Sequence, residues 1–478
     1  MARKLFSDDF FSLLVGHYGK PTADALLVAL QQDPVVSVRM QEGGKPLSED
    51  PVPWCPLGYY LADRPRFLMD PRLHAGVYYV QEASSMFLWH ALRCLPPPRR
   101  VLDLCASPGG KSTLLLSAIP SEALLVSNEA ISSRTGALVE NISKWGYANV
   151  VLTHAPTAAF RPLPALFDMV LTDVPCSGEG MFRKSEEAVA QWSMEKVRRL
   201  QALQRQIVGD AWQCLQAGGY LIYSTCTFNP LEDEDNVAWI AETLGGETVD
   251  LHPPSSWQIL PSLHTGHFGY HFLPGRVRGE GFFLSVIRKS GNAEREGKYT
   301  PQRPSPRKDR RSLPIATLYS MVDTKGEALT LLPFEMRNEE LGMRNSMRRG
   351  RLLEEDARDQ WCLFPSDHLP LIEELRRQRL PLLQIGTPVA AEKGKGKWKP
   401  LPPLALSRHL RREAFPQVDL PLDQAISYLR GLSLTLDASL PKGYVIATYE
   451  GHPLGFLHHL GGRANNLYPT PWRIRQYP

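Results

Sequence analysis

Two cysteines stand where chemistry could be done. Cys176 follows the apolar run FDMVLTD (167–173), and Cys226 follows GYLIYST (219–225). Both runs read as strands, and α/β sheets place their chemistry at the carboxyl ends of strands. A free cysteine is most often a small packed hydrophobe. Two at the ends of parallel neighbours, with Asp173 just before Cys176, point to a shared rim instead.

The segment DLCASPGGKS (103–112) joins a strand to a helix. Its glycines let backbone amides approach a ligand and leave the helix start open to polar groups. It is neither a Walker A loop nor the GxGxxG dinucleotide pattern. The next strand, LLVSN (124–128), ends at Glu129, placed as an acidic residue that binds a ribose diol. That geometry suits an adenosine-containing cofactor, S-adenosylmethionine included.

Two thiols beside a methyl donor answer a specific problem. Carbon 5 of a pyrimidine is too weak a nucleophile to take a sulfonium methyl. A thiolate that adds to carbon 6 makes the ring an enamine, and carbon 5 can then attack. The adduct must afterwards lose its carbon 5 proton and expel the thiol, which calls for a second acid–base group. Amine methylation needs neither thiol, and usually has Asn-Pro-Pro-Tyr or Asp-Pro-Pro-Tyr where this chain has Asp173-Val174-Pro175-Cys176.

The elements that position these residues form a βαβ series. Strands are expected at 101–105, 124–128, 149–153, 167–173, 219–225 and 281–288, giving an α/β fold with a parallel sheet. Before the fifth lies an amphipathic helix with Val197, Leu200, Leu203, Ile207, Ala211 and Leu215 on one face, stopped by Gly218-Gly219. A helix is expected from Gln81 to the prolines at 96–98. Domains are expected at 1–75 (α+β), 76–290 (core), 313–385 (α+β) and 386–478 (a small barrel with helix-like SRHLRREAF at its start). A basic linker is expected at 291–312.

Composition narrows the classes. The 478 residues exceed one core, and a net charge of +4 is too small for a uniformly basic nucleic-acid binder. No apolar run reaches the length of a membrane span. The seven cysteines form no CxxC, so neither a disulfide framework nor a zinc site is indicated, and no metal is called for. A reduced cytoplasmic protein is expected.

The ordered motifs DLCASPGGKST, VSNEA, TDVPCSGEGMFRK, YSTCTFNPLEDEDNV and GEGFFLSVIRK resemble those of the Nop/Sun family of RNA cytosine-5 methyltransferases. The tail YVIATYEGHPLGFLHHLGGRANNLYP resembles the PUA-like domain of the RsmF branch, which acts on 16S ribosomal RNA. The resemblance implies a Rossmann-like class I methyltransferase core with a mostly parallel seven-stranded sheet. It implies RNA contact by the N-terminal and PUA-like domains; a monomer is expected, though no residue or motif bears on the oligomeric state. Cys226 would be the nucleophile and Cys176 would assist product release, with Asp173 near the methyl donor and the target base. Cys105, Ala106, Ser107, Pro108, Gly109, Gly110 and Lys111 would hold the methionine part of S-adenosylmethionine, and Glu129 its ribose with help from Arg134. Arg183 and Lys184 would meet the RNA backbone. The family's acidic residue after the third strand is missing: Ala155 or Pro156 stands there, which leaves adenine to backbone or apolar contacts.

Lys393, Lys395, Lys397 and Lys399 alternate with Gly394, Gly396 and Trp398, as in an exposed hairpin. Phosphate contact by the lysines with base stacking by Trp398 is one reading, and a solvated hairpin is the other. The readings left open are the same chemistry on tRNA and a non-catalytic ribosome-assembly factor.

Overall fold

The computed structural model describes residues 6–163, 165–291, 315–334, 360–394 and 397–475. The first helix, Asp8–Tyr18, starts where the Ser7 side chain accepts from Phe10 N at 3.2 Å. Asp8 and Asp9 add negative charge to its first turn. After a second helix, Lys20–Ala29, comes a three-stranded antiparallel sheet of β1 (Val36–Met40), β2 (Gly58–Leu61) and β3 (Tyr78–Tyr79). The helix expected from Gln81 begins later, as a 3-10 turn at Ser84–Met86 leading into Phe87–Arg93. The cause is Glu82, whose carboxylate accepts from Ser84 N and Ser85 N, both at 2.9 Å, and so fixes the first turn there.

The core strands follow in chain order: β4 (Arg100–Asp103), β5 (Leu124–Asn128), β6 (Val150–Thr153), β7 (Phe167–Asp173), β8 (Leu215–Thr225), β9 (Gly246–Thr248), β10 (Leu260–Pro261), β11 (Tyr270–Phe272) and β12 (Phe282–Lys289). Seven of them lie in the order β11-β12-β8-β7-β4-β5-β6, with β4 to β8 parallel and β12 antiparallel on β8. This is the expected class I methyltransferase sheet. Its strands read as unbroken apolar runs because both faces are covered. Val101 and Leu125 pack with the helices Gly110–Ala118 and Ser132–Trp145; Leu102 and Val126 pack with Met194–Cys214.

The helix Met194–Cys214 departs from its expected pattern in two places. Leu203 is 40% exposed, whereas Gln204 is buried. The Gln204 amide turns inward because it donates to Pro175 O at 2.9 Å and Glu232 Oε1 at 2.7 Å. The glycine pair does not stop the helix: β8 begins directly at Leu215 and contains both glycines. A side chain at Gly219 would meet Leu215 Cδ1 at 2.8 Å and Asp168 O at 2.9 Å.

Beyond the core come β13 (Leu329–Phe334), β14 (Gln360–Pro365), β15 (Leu382–Ile385), β16 (Thr387–Gly394) and β17 (Lys397–Pro400). β15 pairs antiparallel with β6 and so extends the core sheet to ten strands. The lysine hairpin is β16–β17, as expected of its pattern, but it belongs to the sheet β13-β14-β16-β17 rather than to the terminal barrel. The boundary drawn at 385/386 therefore falls inside a joined structure. SRHLRREAF is not a helix beyond a 3-10 turn at Arg412–Ala414. Its backbone is taken by tertiary partners: Arg408 N donates to Gly146 O at 3.0 Å and Arg411 N to Met321 O at 3.0 Å.

The C-terminal region is a five-stranded, barrel-like sheet of β18 (Gln417–Asp419), β19 (Leu434–Thr435), β20 (Gly443–Tyr449), β21 (His452–His459) and β22 (Arg463–Asn466). The helix Leu422–Leu429 closes it with the buried Tyr428. The basic stretch expected as a linker lies almost wholly outside the described residues. No described helix is long and apolar enough to cross a membrane.

Candidate active site

β7 and β8 lie in parallel register with Asp173 opposite Ser224, so the segments that leave them emerge side by side. The two thiols meet there: Cys176 Sγ is 3.0 Å from Cys226 Sγ, and Cys226 N donates to Cys176 Sγ at 3.3 Å. Cys226 is exposed and Cys176 partly so. The hydrogen bond from Cys176, with the Lys111 ammonium nearby, pulls the Cys226 thiol below its ordinary range against burial and the Asp173 charge. Donating that bond, together with burial, holds the Cys176 thiol well above it. Cys226 is thus the sulfur that ionises more readily, and Cys176 the one that keeps its proton longer. The arrangement fits a nucleophile beside a proton-carrying partner.

Asp173 is the hinge between the thiols and the glycine loop. Its Oδ1 receives Ser224 Oγ at 2.8 Å and pairs with Lys111 Nζ at 2.9 Å. Burial disfavours the Lys111 ammonium, yet the ion pair with Asp173 raises it overall. Lys111 therefore belongs with the thiols as much as with the loop.

The loop from Cys105 to Lys111 runs into the helix Gly110–Ala118. Gly109 adopts φ 110°, a conformation that L side chains rarely take, and stands as the residue before the helix Gly110–Ala118. Ser107 Oγ donates to Arg134 O at 2.8 Å, and Arg134 Nη2 donates to Ser107 O at 2.6 Å. Asn141 Nδ2 donates to Pro108 O at 2.8 Å. Ala106 is buried, and burial pushes the Cys105 thiol up, so both pack the loop. Arg134 thus braces the loop and lies 3.8 Å from Glu129. Glu129, at the end of β5, accepts Ile131 N on Oε1 at 2.7 Å, and Arg134 approaches Oε2.

Loop and acid fit S-adenosylmethionine. The loop is held open by its bonds to Arg134 and Asn141, and Glu129 keeps an oxygen free of backbone bonds beside it. Asp103, buried at the end of β4 where the loop begins, accepts Ser112 Oγ on Oδ2 at 2.6 Å and so ties the strand to the helix after the loop. After β6 the carbonyl and the amide of Ala155 are both taken by the Asn128 side chain, at 2.9 and 3.0 Å. The Ala155 amide is therefore occupied, while its carbonyl, with a second lone pair, can still accept.

Not every expected contact residue is available. Arg183, expected to meet RNA, has a side chain only 4% exposed that pairs with the buried Glu280 at 2.7 Å. It also donates to Gly279 O at 2.6 Å, which completes a structural ion pair. Lys184 is partly exposed, 3.8 Å from the same carboxylate. The hairpin belongs to the four-stranded sheet and follows β15, which lies at the β6 end of the core sheet. Lys393 and Lys397 are exposed, whereas Lys399 is half-buried and Lys395 lies outside the described residues. Trp398 is half-buried against a cluster that includes Val389 and Leu404, so its ring packs rather than standing free for a base.

Three acids near the cysteines escape the reading of the sequence. Glu179, Glu232 and Asp233 are fully buried beneath the two thiol loops. The signal of the last two is the acidic run LEDED, which reads equally well as a solvated turn.

Residues 94–288 match the family model for 16S rRNA methyltransferase RsmB/F, 7–83 the N-terminal domain of 16S rRNA methyltransferase RsmF, and 415–474 the methyltransferase RsmF PUA domain. Ribosomal RNA small subunit methyltransferase F of Salmonella paratyphi A is 31% identical over 438 residues, covering 88% of this chain and 84% of that one. The chain belongs to the RsmB/F family of rRNA methyltransferases. The Citrobacter koseri protein of the same name is 31% identical over 431 residues, with 88% and 84% covered. A methyltransferase homolog protein from Pyrococcus horikoshii superposes with a TM-score of 0.52 at 25% identity, covering 59% of this chain and 95% of that one. NSun6 from the same organism, with SFG, gives a TM-score of 0.50 at 18% identity over 61% and 100%. This RsmB/F-family chain is an S-adenosylmethionine-dependent RNA methyltransferase, and its core, N-terminal and PUA domains are those the family has.

Proposed function

We propose that the chain methylates carbon 5 of a cytosine in 16S ribosomal RNA through a covalent adduct on Cys226. The observation that carries this reading is the pair of thiols 3.0 Å apart just past the carboxyl ends of β7 and β8, beside the Lys111–Asp173 ion pair. The cofactor supplies an electrophilic methyl group when bound. The loop from Cys105 to Lys111 holds its methionine part, and Glu129 accepts from its ribose hydroxyls with Arg134 bracing both.

The Cys226 thiolate adds to carbon 6, forming a sulfur–carbon bond and sending the ring electron pair toward carbon 5. Carbon 5 then carries the new methyl and its original hydrogen. Loss of that proton restores the double bond and breaks the sulfur–carbon bond, which frees the Cys226 thiolate. Adduct formation turns the Cys226 sulfur into a neutral thioether and removes the neighbouring negative charge that kept Cys176 protonated; Cys176 then gives its proton to solvent, and its thiolate takes the carbon 5 proton, ending as the thiol again. Asp173 orients Lys111 beside the thiolate and faces the target base.

The exposed Lys393 and Lys397 are read as phosphate contacts, with the N-terminal and PUA-like domains as further RNA-binding surfaces. The enzyme acts as a monomer in the reducing cytoplasm, where both thiols stay free.

Two measurements test this. Cys226→Ala abolishes methyl transfer, and Cys176→Ala accumulates a covalent protein–RNA band that disappears when Cys226 is also replaced. Normal turnover by Cys176→Ala with no band overturns the division of roles. Bisulfite sequencing of total RNA from cells lacking the chain then locates the substrate. A lost 16S cytosine signal is expected; a lost tRNA signal moves the same chemistry to tRNA, and no change points to a non-catalytic assembly role.

A further inference from the structure

The segment after each cysteine reaches into the loop of the other. Glu179, just past Cys176, takes four donors: Thr227 Oγ1 at 2.6 Å and Phe228 N at 3.3 Å on Oε2, Trp192 Nε1 at 2.9 Å and Asn229 Nδ2 at 3.2 Å on Oε1. Three of these belong to the loop of Cys226. Glu232, just past that loop, returns the contact: its Oε1 accepts Ser177 N at 2.9 Å, next to Cys176, and Gln204 Nε2 at 2.7 Å. Between them Ser177 Oγ and Thr227 Oγ1 lie 3.2 Å apart, and Gly180 N donates to Cys226 O at 2.9 Å.

We infer that Glu179 and Glu232 form a reciprocal clasp that sets the spacing and the protonation of the two thiols. The inference rests on the two-thiol reading above and names positioning residues for it. Neither cysteine lies in a strand or a helix, so the separation of the sulfurs is fixed by what ties their loops together. Beyond the β7–β8 ladder, those ties are the two carboxylates together with the bonds from Gly180 N to Cys226 O and from Cys226 N to Cys176 Sγ.

The two ends of the clasp differ electrically. Glu179 is saturated with donors. Glu232 is fully buried, and its Oε2 has no hydrogen-bond partner, a costly state for an ionised carboxylate. Burial and the Glu179 charge push its carboxyl up to about 7. The other groups around it are Asp233 from its own segment, the Tyr223 phenol of β8, the two thiols, and Lys196 of the helix Met194–Cys214, whose Nζ reaches Ser177 O at 3.4 Å. Once ionised, Glu232 opposes a negative charge on either sulfur. Holding a proton, it lets the Cys226 thiolate form at lower cost.

Glu232→Gln and Glu232→Asp separate reach from charge. Glu232→Gln keeps an acceptor for Ser177 N and removes the titrating proton. Iodoacetamide alkylation of Cys226 as a function of pH is expected to move to lower pH by roughly one unit. The inflection near neutrality in the methyl-transfer profile is expected to vanish. Glu232→Asp keeps the charge and is too short to reach; kcat is expected to fall while KM for the cofactor holds and the inflection stays. Alkylation and rate profiles of Glu232→Gln that overlay wild type overturn the inference, as does an unchanged kcat in Glu232→Asp. Should Glu232→Gln not accumulate, carboxyl NMR of isotope-labelled glutamate in the wild-type enzyme decides, since every buried glutamate titrating at its ordinary value also overturns it. Failure of the underlying reading shows separately, as methyl transfer by Cys226→Ala.

Discussion

Lys111 Nζ and Asp173 Oδ1 lie 2.9 Å apart, joining the cofactor loop to the strand that delivers Cys176. The pair balances the nucleophile: Lys111 favours the Cys226 thiolate and Asp173 disfavours it. Lys111→Met is expected to raise the pH at which Cys226 is alkylated. It should lower methyl transfer at neutral pH by about tenfold or more, the effect of one unit on the thiolate fraction. Asp173→Asn should do the opposite to alkylation, making it faster, while methyl transfer still falls because Lys111 loses its anchor. Parallel changes in both assays for Asp173→Asn would count against this account.

Asp103 makes stability depend on pH. Burial raises its carboxyl from 3.8 to about 7, against the bond from Ser112 Oγ. The folded state therefore holds this proton to higher pH than the unfolded chain does. The associated stability is full below about pH 4, is lost as pH rises toward 7, and stays lost above it. Glu232, raised from 4.5 to about 7, contributes with the same sign. Urea unfolding between these limits should show stability falling with pH, and Asp103→Asn should flatten part of that fall. An unchanged slope in the variant would remove Asp103 from the explanation.

Arg183 should prove structural. Removing it leaves the buried Glu280 carboxylate without its main partner, which costs about 3–5 kcal/mol. Arg183→Ala should unfold at markedly lower urea. The salt dependence of RNA binding per folded molecule should match wild type, because this guanidinium is turned away from any phosphate.

The hairpin lysines should behave in the reverse way. Lys393→Glu and Lys397→Glu are expected to leave unfolding and cofactor affinity alone. Each should weaken RNA binding and make the salt slope shallower by about one, as expected when one lysine no longer neutralises a phosphate. Trp398→Ala should instead cost about 3 kcal/mol of stability, the low end for a packed indole. RNA affinity and a salt slope that both match wild type in the lysine variants would place the phosphate-binding surface elsewhere.

The strands and both cysteines are legible because a sheet covered on two faces writes long apolar runs, and because the chemistry sits where those runs stop. What escapes depends on partners distant in sequence. Arg183 looks like half of a basic pair until Glu280 is brought against it. Ser407 to Phe415 has helical spacing, yet Gly146 and Met321 claim its backbone. Glu179 and Glu232 are visible as acids, but the crossing between loops that gives them purpose is a property of the fold. Gly218 and Gly219 resemble a helix stop, and only the close approach of Asp168 O shows why glycine is needed within a strand.

The pairing of β15 with β6 bears on how the catalytic core can be handled by itself. A fragment cut after residue 291 keeps every residue of the proposed reaction but uncovers the ladder of Val150–Thr153. That edge is apolar and carries no charged side chain to repel a second copy. Its free amides and carbonyls would recruit the same edge of another molecule. The C-terminal half therefore also serves the core as a shield against self-association.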